Sequence, residues 1–173
     1  MFFAKQPARA LEAAAESSRT THGAKTAIDA CRYMAGLIIG ALAGTPKNEL
    51  LVSFHAPTPD CWLARPLVDE IAEVAAGSFK RKQPPEIKGT GFVVRSLEAA
   101  LWAFHHTDNF RDGCLRAVNL GDDADTTAAI FGQLAGAYYG GQGIPPEWLA
   151  RVARRDLIEN LADRLLDASQ RVP

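Results

Sequence analysis

Apolar residues recur three and four positions apart along almost the whole chain, and no run alternates in the way a half-buried strand requires. That one periodicity confines the fold to the all-α class. With 173 residues the chain can bury on the order of two-thirds of its unfolded surface, so a single all-α domain spanning 1–173 is expected.

The pattern divides into helices at recognisable signals. Pro7 can open a first short helix carrying Leu11 and several alanines, ending near the polar stretch ESSRTTHG. From about Thr26 to Ala43, Ile28, Cys31, Ala35, Ile38, Ile39 and Leu42 form one stripe while Asp29 and Arg32 face away, and Gly44 with Pro46 supplies the stop. Pro66 is expected to open a helix with Leu67, Ile71, Val74 and Ala75 on one side. Lys80 to Gly91, basic and rich in Pro and Gly, reads as a surface loop, and its KRK run as a solvated one. Leu97, Ala100, Leu101 and Phe104 mark the next amphipathic helix, and Phe110, Cys114, Leu115 and Val118 a shorter one. Two last helices are expected from IPPEWLARVA and RDLIENLADRLLDAS.

Composition excludes some function classes. Nineteen Lys and Arg balance 20 Asp and Glu, leaving a formal net charge of -1 and no global field to draw in nucleic acid or an acidic membrane surface. Three cysteines, Cys31, Cys61 and Cys114, show no C-x-x-C spacing and sit among apolar residues, the pattern of reduced, buried thiols in a cytoplasmic protein. The first residues lack the apolar core of a secretory signal, and no window reaches the roughly 18 apolar residues of a membrane span.

The chemistry concentrates in VNLGDDADTTAAIFG, Val118 to Gly132, where three aspartates in four positions lead into a helix without charge. From Ala128 to Tyr139 that helix is apolar all round, which marks it as interior. Gly132, Gly136 and Gly140 fall four apart on one face, where another backbone can approach closely. At its start, Asp123, Asp125 and Thr126 offer two carboxylates and a hydroxyl within four residues. Two readings stand open. Asp125 or Thr126 can simply cap the helix. Alternatively, two carboxylates beside an interior helix would repel one another and lose hydration unless a cation joined them, and a hard cation such as Mg²⁺ or Mn²⁺ takes such oxygen ligands.

VNLGDDADTTAAIFGQLAGAYYG followed by IPPEWL resembles the C-terminal signature of the ADP-ribosylglycohydrolase family, which includes the dinitrogenase reductase-activating glycohydrolase. The usual form is Asn-x-Gly-Gly-Asp-x-Asp-Thr, a small-residue helix ending in Tyr-Tyr-Gly, then Ile-Pro and Trp; here Asp122 stands where the second Gly is common. The resemblance extends through SSRTTHGAKTAIDACRYMAGLIIGALAG and GTGFVVRSLEAALWAF, and so covers nearly the whole chain in order. It implies a compact, orthogonal multi-helix bundle that binds ADP-ribose in a cleft and hydrolyses the bond at the ribose anomeric carbon with a pair of divalent cations, Mg²⁺ or Mn²⁺. By resemblance, Asp123, Asp125 and Thr126 are metal ligands, His22 contacts ADP-ribose, and Gly91 and Phe92 line the cleft. Family chains also carry an N-terminal half with Gly-Asp-Ala-x-Gly and Thr-Asp-Asp segments, which supply the remaining ligands and the acidic catalytic residue. Neither segment occurs here, and the Thr107-Asp108-Asn109 run falls where the resemblance places a plain turn.

Other candidates have ordinary alternatives. His22 can serve the surface or a cap, His105 and His106 suit a helix C-terminus, and His55 lies in a proline-rich connection. Phe92 can anchor a core, and Asn119 can fix the acidic loop or face a ligand. Three functions follow: an ADP-ribosyl hydrolase or its C-terminal portion; a non-catalytic helical module that binds ADP-ribose or a partner half; and a structural domain whose acids cap a helix. A chain with half of such a bundle is also expected to expose apolar faces and to pair, with a companion polypeptide or as a symmetric dimer.

Overall fold

The computed structural model describes residues 2–171. Ten helices follow in order: α1 Pro7–Arg19, α2 Lys25–Leu42, α3 Lys47–Leu50, α4 Cys61–Ala64, α5 Asp69–Ala75, α6 Val93–His105, α7 Phe110–Val118, α8 Ala124–Tyr139, α9 Pro146–Leu149 and α10 Arg155–Gln170, with single 3₁₀ turns at Ser78–Lys80 and Gly141–Gly143. There is no strand among the described residues, and no helix is long and apolar enough to cross a membrane.

Helix α2 is central, packing against α1 on one side and against α6 and α8 on the other. Tyr33, Leu37, Phe79, Ile71, Phe104, Phe131 and Leu134 are all but sealed from solvent, and one continuous cluster draws side chains from α1 through α8. Full burial of each such side chain contributes about 1.5–3 kcal/mol, which is where this fold finds its stability.

Several boundaries move from their predicted places. α1 continues through Ser17 and Ser18 because Ser18 is buried, and its Oγ donates to the His22 carbonyl at 3.0 Å. Pro66 to Val68 remain extended, and α5 starts only at Asp69. IPPEWLARVA folds as one turn, α9. Cys31, Cys61 and Cys114 are free but half-buried rather than buried.

Asp29 and Arg32 do not face solvent. Both are buried, since the stretch from Trp62 to Val68 lies over that side of α2. Arg32 Nη1 donates to Asp29 Oδ1 at 2.7 Å and Arg32 Nη2 to the Arg65 carbonyl at 2.9 Å, while Asp29 Oδ2 accepts from the Val68 N–H at 2.9 Å. The pair therefore tethers an otherwise irregular segment to the central helix.

A second buried ionic cluster holds the basic loop. Glu98 on α6 is sealed from solvent and accepts from Lys82 Nζ at 2.7 Å, from Arg95 Nη1 at 3.1 Å and from the Ser78 hydroxyl. Burial alone would raise the pKa of Glu98; the hydrogen bonds from Lys82 and Ser78 and the Lys82 charge outweigh it and hold the carboxyl below its usual value. Lys82 is thus a structural cation rather than a solvated one.

Helix α8 departs most from expectation. From Ala128 to Tyr139 it carries no charge, yet only Thr127, Phe131, Leu134 and Ala135 of the helix are buried. A Cβ built at Gly132, Gly136 or Gly140 would meet nothing within 4 Å. The glycine face lies open because no described residue fills it, so the close backbone approach expected there does not occur. Helix α10 is exposed likewise: none of its residues is buried, and Leu157, Ile158, Leu161, Leu165 and Leu166 show between 42% and 59% of their surface.

Candidate active site

The acidic loop is built by two left-handed residues at the exit of α7. Asn119 closes that helix; Gly121 follows with φ 73° and Asp122 with φ 53°. Only Gly enters this region freely, with Asp and Asn next best. That conformation accounts for the glycine common at the Asp122 position and for the tolerance of aspartate there.

Asp123 then occupies the N-cap of α8, and its side chain makes no capping bond. Its backbone does the anchoring. The Asp123 N–H donates to the Gly89 carbonyl at 2.9 Å, while its own carbonyl accepts from the Thr127 N–H at 3.1 Å and from Thr127 Oγ1 at 3.0 Å. Thr127 is wholly buried. Gly89 lies so close that a Cβ there would stand 2.5 Å from Thr127 Oγ1. The loop before α6 and the start of α8 are therefore clasped backbone to backbone, with glycine required by proximity.

This clasp brings predicted site residues together. A Cβ on Gly91 would lie 3.8 Å from Asp123 Oδ2, so the Gly89-Thr90-Gly91 loop runs alongside the acid. Ser96 pins that loop by donating to the Thr90 carbonyl and to the Phe92 carbonyl at 3.3 Å, and the Phe92 N–H donates to Thr90 Oγ1 at 3.2 Å. Phe92 stands at the N-cap of α6 with 52% of its surface exposed, so it is not a core anchor. His22 sits exposed in the α1–α2 turn, its Nδ1 3.0 Å from Thr21 Oγ1, and its backbone bonds to Ser18 at the end of α1.

Asp125 and Thr126 are exposed in the first turn of α8, and Asp123 is half-buried. The acids thus meet solvent rather than a sealed interior, which removes desolvation as the force demanding a cation. The capping role also falls away, because no side chain caps this helix. What stays is two carboxylates and a hydroxyl that receive no hydrogen bond from described protein groups, at the positive end of a 16-residue helix. This donor set fits a hard cation in chemistry but is short in number. Among the described residues no three His, Cys, Asp or Glu side chains converge to hold a metal, and Mg²⁺ takes about six oxygens.

Thr107-Asp108-Asn109 is a turn, as expected: Thr107 Oγ1 donates to the Ala103 carbonyl at 2.8 Å and Asn109 caps α7 by accepting from the Asp112 N–H at 2.8 Å. His105 ends α6 and His106 caps it. His55 packs its ring against Gly40 in a half-buried connection, and burial lowers its pKa. Asn119 bonds within α7 and borders a cleft on the far side of the acidic loop.

An all-helical bundle with a small-residue helix entered through an unsatisfied acidic loop, clasped to a Gly-x-Gly loop, defines the class. The chain belongs to the ADP-ribosylglycohydrolase family, whose model matches residues 1–173. It is 43% identical over 155 residues to the ADP-ribosylarginine hydrolase Tri1 of Pseudomonas putida (strain GB-1), covering 90% of this chain and 39% of that protein. To the ADP-ribosylarginine hydrolase Tri1 of Serratia proteamaculans (strain 568) it is 40% identical over 148 residues, 86% of this chain and 38% of that protein. A solved structure described as an ADP-ribosylglycohydrolase-related protein complex superposes with a TM-score of 0.81 at 41% identity, over 92% of this chain and 53% of its own. The chain therefore spans about two-fifths of the length of these curated relatives, at 39% and 38%.

Proposed function

We propose that this chain supplies the acidic-loop half of a metal-assisted, cytoplasmic ADP-ribosyl glycohydrolase that removes ADP-ribose from modified arginine on protein or from a small ADP-ribose conjugate. The observation that carries the reading is the acidic loop itself: Asp123 and Asp125 stand at the start of α8 with no described protein donor on their carboxylates, and Asp123 lies beside Gly91. Asp123, Asp125 and Thr126 would hold Mg²⁺ or Mn²⁺, which when bound would orient ribose hydroxyls and a water near the anomeric carbon. The clasp to Gly89 fixes the backbone that carries the Asp123 carboxylate. Phe92 offers an exposed aromatic face to a flat ligand, Gly91 leaves room beside the acid, and His22 offers a ring N–H.

Three oxygens do not complete a six-oxygen shell. The reading therefore includes a companion polypeptide segment bearing the Thr-Asp-Asp motif, for which the open face of α8 and the apolar stripe of α10 are suited surfaces. A homodimer using the same faces is the alternative assembly. An acidic loop whose three oxygens fall short of a full shell is the observation behind a second reading, ADP-ribose binding without turnover.

Calorimetry with Mg²⁺ and Mn²⁺ tests the first reading. Weak binding is expected in the wild type and none in Asp123→Asn/Asp125→Asn; wild-type titrations without metal-dependent heat refute the half-site. Addition of a polypeptide bearing the Thr-Asp-Asp half is expected to restore release of ADP-ribose from modified protein, and Asp125→Ala to block it. Binding of ADP-ribose with no release in that mixture would select the second reading.

A further inference from the structure

Beyond the acidic loop, a cleft of about 910 Å³ opens between the C-terminal half of α6, the exposed side of α7 and the segment Pro84–Lys88. Its volume is that of a small-molecule site. Ile87, Leu115 and Leu120 give it apolar walls, while Trp102, Arg116 and Lys88 bring donors.

Trp102 is the anomaly. It is 5% exposed, and its Nε1–H has neither solvent contact nor an acceptor among the described residues. An indole N–H can only donate, and a buried donor left unpaired opposes folding. By contrast, Trp62 donates to the His55 carbonyl at 3.0 Å. Above the Trp102 ring lies the Arg116 guanidinium, its Cζ 5.3 Å from the ring centre. Arg116 and Lys88 are exposed and form no ion pair among the described residues.

Three acids also border the cleft, and two are engaged. Asp112 Oδ2 accepts from Asn109 Nδ2 at 2.8 Å, and Asp108 stands 3.6 Å from Lys47 Nζ. Asp122 alone has no partner, and it belongs to the acidic loop. The free charge at the Trp102 end is thus positive, next to a donor lacking an acceptor.

The geometry points to an oxyanion site in this cleft: a carboxylate or phosphate carried on a compact apolar body, with Arg116 pairing its charge and the Trp102 indole N–H donating to its oxygen. Entry of the anion requires the sealed indole N–H to be uncovered, with Arg116 leaving the ring face to pair with the charge. Lys88 adds attraction at longer range. The inference stands independently of the metal reading, since it uses neither Asp123 nor Asp125.

Indole ¹H–¹⁵N spectra of the full chain provide the test, with the Trp102 signal identified by its loss in Trp102→Phe. Inorganic phosphate and acetate are titrated separately at constant ionic strength. Saturable movement of the Trp102 signal with either anion, without movement of Trp62, is expected; response to phosphate alone assigns a phosphorylated ligand, and response to acetate a carboxylate. Arg116→Ala, an exposed change that leaves the core intact, is expected to weaken the responding anion about tenfold, the worth of one charged hydrogen bond, and Lys88→Ala to weaken it less. No saturable movement with either anion, or an unchanged midpoint in Arg116→Ala, overturns the proposal and leaves an indole sensing solvent or an adventitious ion only.

Discussion

Gly89→Ala tests the clasp at the candidate site. The new methyl would lie 2.5 Å from Thr127 Oγ1, 3.3 Å from Thr127 Cβ and 3.4 Å from the Gly121 carbonyl oxygen. Thr127 is completely buried and held by its bond to Asp123, so it cannot swing aside. The loop must lift from α8 instead, and the bond from Asp123 N–H to the Gly89 carbonyl lengthens or breaks. Overpacking of this kind costs about 1–3 kcal/mol, and the hydrogen bond about 1 more. A total of about 3 kcal/mol corresponds to a fall in Tm of about 6–12 °C for a chain of this size, measured by circular dichroism. Metal-binding heat should fall with it, since the backbone carrying the Asp123 carboxylate loses its anchor. Thr127→Ala removes the oxygen at the closest contact, so the double variant should be more stable than the sum of the single losses by about 1–2 kcal/mol. Additive losses, or a Gly89→Ala variant that melts like the wild type, would refute the clasp.

Other expectations follow from the same structure. Glu98→Gln should remove a pH dependence: because Glu98 titrates below its unfolded value of 4.5, its stabilisation is complete above that pH and is lost as pH falls through the depressed folded pKa, so acid unfolding curves of wild type and variant should converge at low pH. Asp29→Ala leaves Arg32 buried without its partner and should cost about 3–5 kcal/mol in urea unfolding, whereas Glu159→Ala, which breaks the exposed pair with Arg155, should cost under about 1. Gly132→Ala and Gly136→Ala meet open space and should each stabilise the chain by about 0.5–1 kcal/mol, while weakening binding of a polypeptide bearing the Thr-Asp-Asp segment if it docks as proposed; destabilisation would mean that the face is already occupied. Light scattering should detect self-association of the chain, and a clean monomer that binds no apolar dye counts against the exposed faces as docking surfaces.

The helical architecture was legible because period and punctuation agree along the chain: Pro7, Gly44 and Pro146 each sit where a helix starts or has just stopped. The acidic loop was legible for a similar reason, since Asp123, Asp125 and Thr126 lie within one helical turn. Contacts between distant segments were not. Nothing near Gly89 announces Thr127, 38 positions on, although the Gly-Thr-Gly spelling signals a backbone that must come close. Asp29 and Arg32 looked like a solvent face because one stripe was taken to be the only buried side of α2; a helix enclosed on two sides hides polar residues as well, and an i,i+3 acid–base pair amid apolar neighbours is the usable signal. Trp102 gave no sign at all, because an unpaired donor is a property of surroundings. For α8, the uncharged run from Ala128 to Tyr139 read as an interior helix, whereas the described residues leave its glycine face open; an uncharged surface does not by itself report what packs on it.

Helix α10 carries one more consequence. With no residue buried, its 16 residues stand near the length at which an isolated helix is marginal in water. Its order in solution is then set by local propensity and by the Arg155–Glu159 pair rather than by the core. Its amides should exchange with solvent far faster than those of α2 and α6, and a protease should remove it while leaving the remaining fold standing. A partner docking on its leucines would therefore have to offset the entropy lost in ordering the helix, and association at this face would read calorimetrically as a helix forming, with a heat-capacity drop larger than the docking of two finished surfaces.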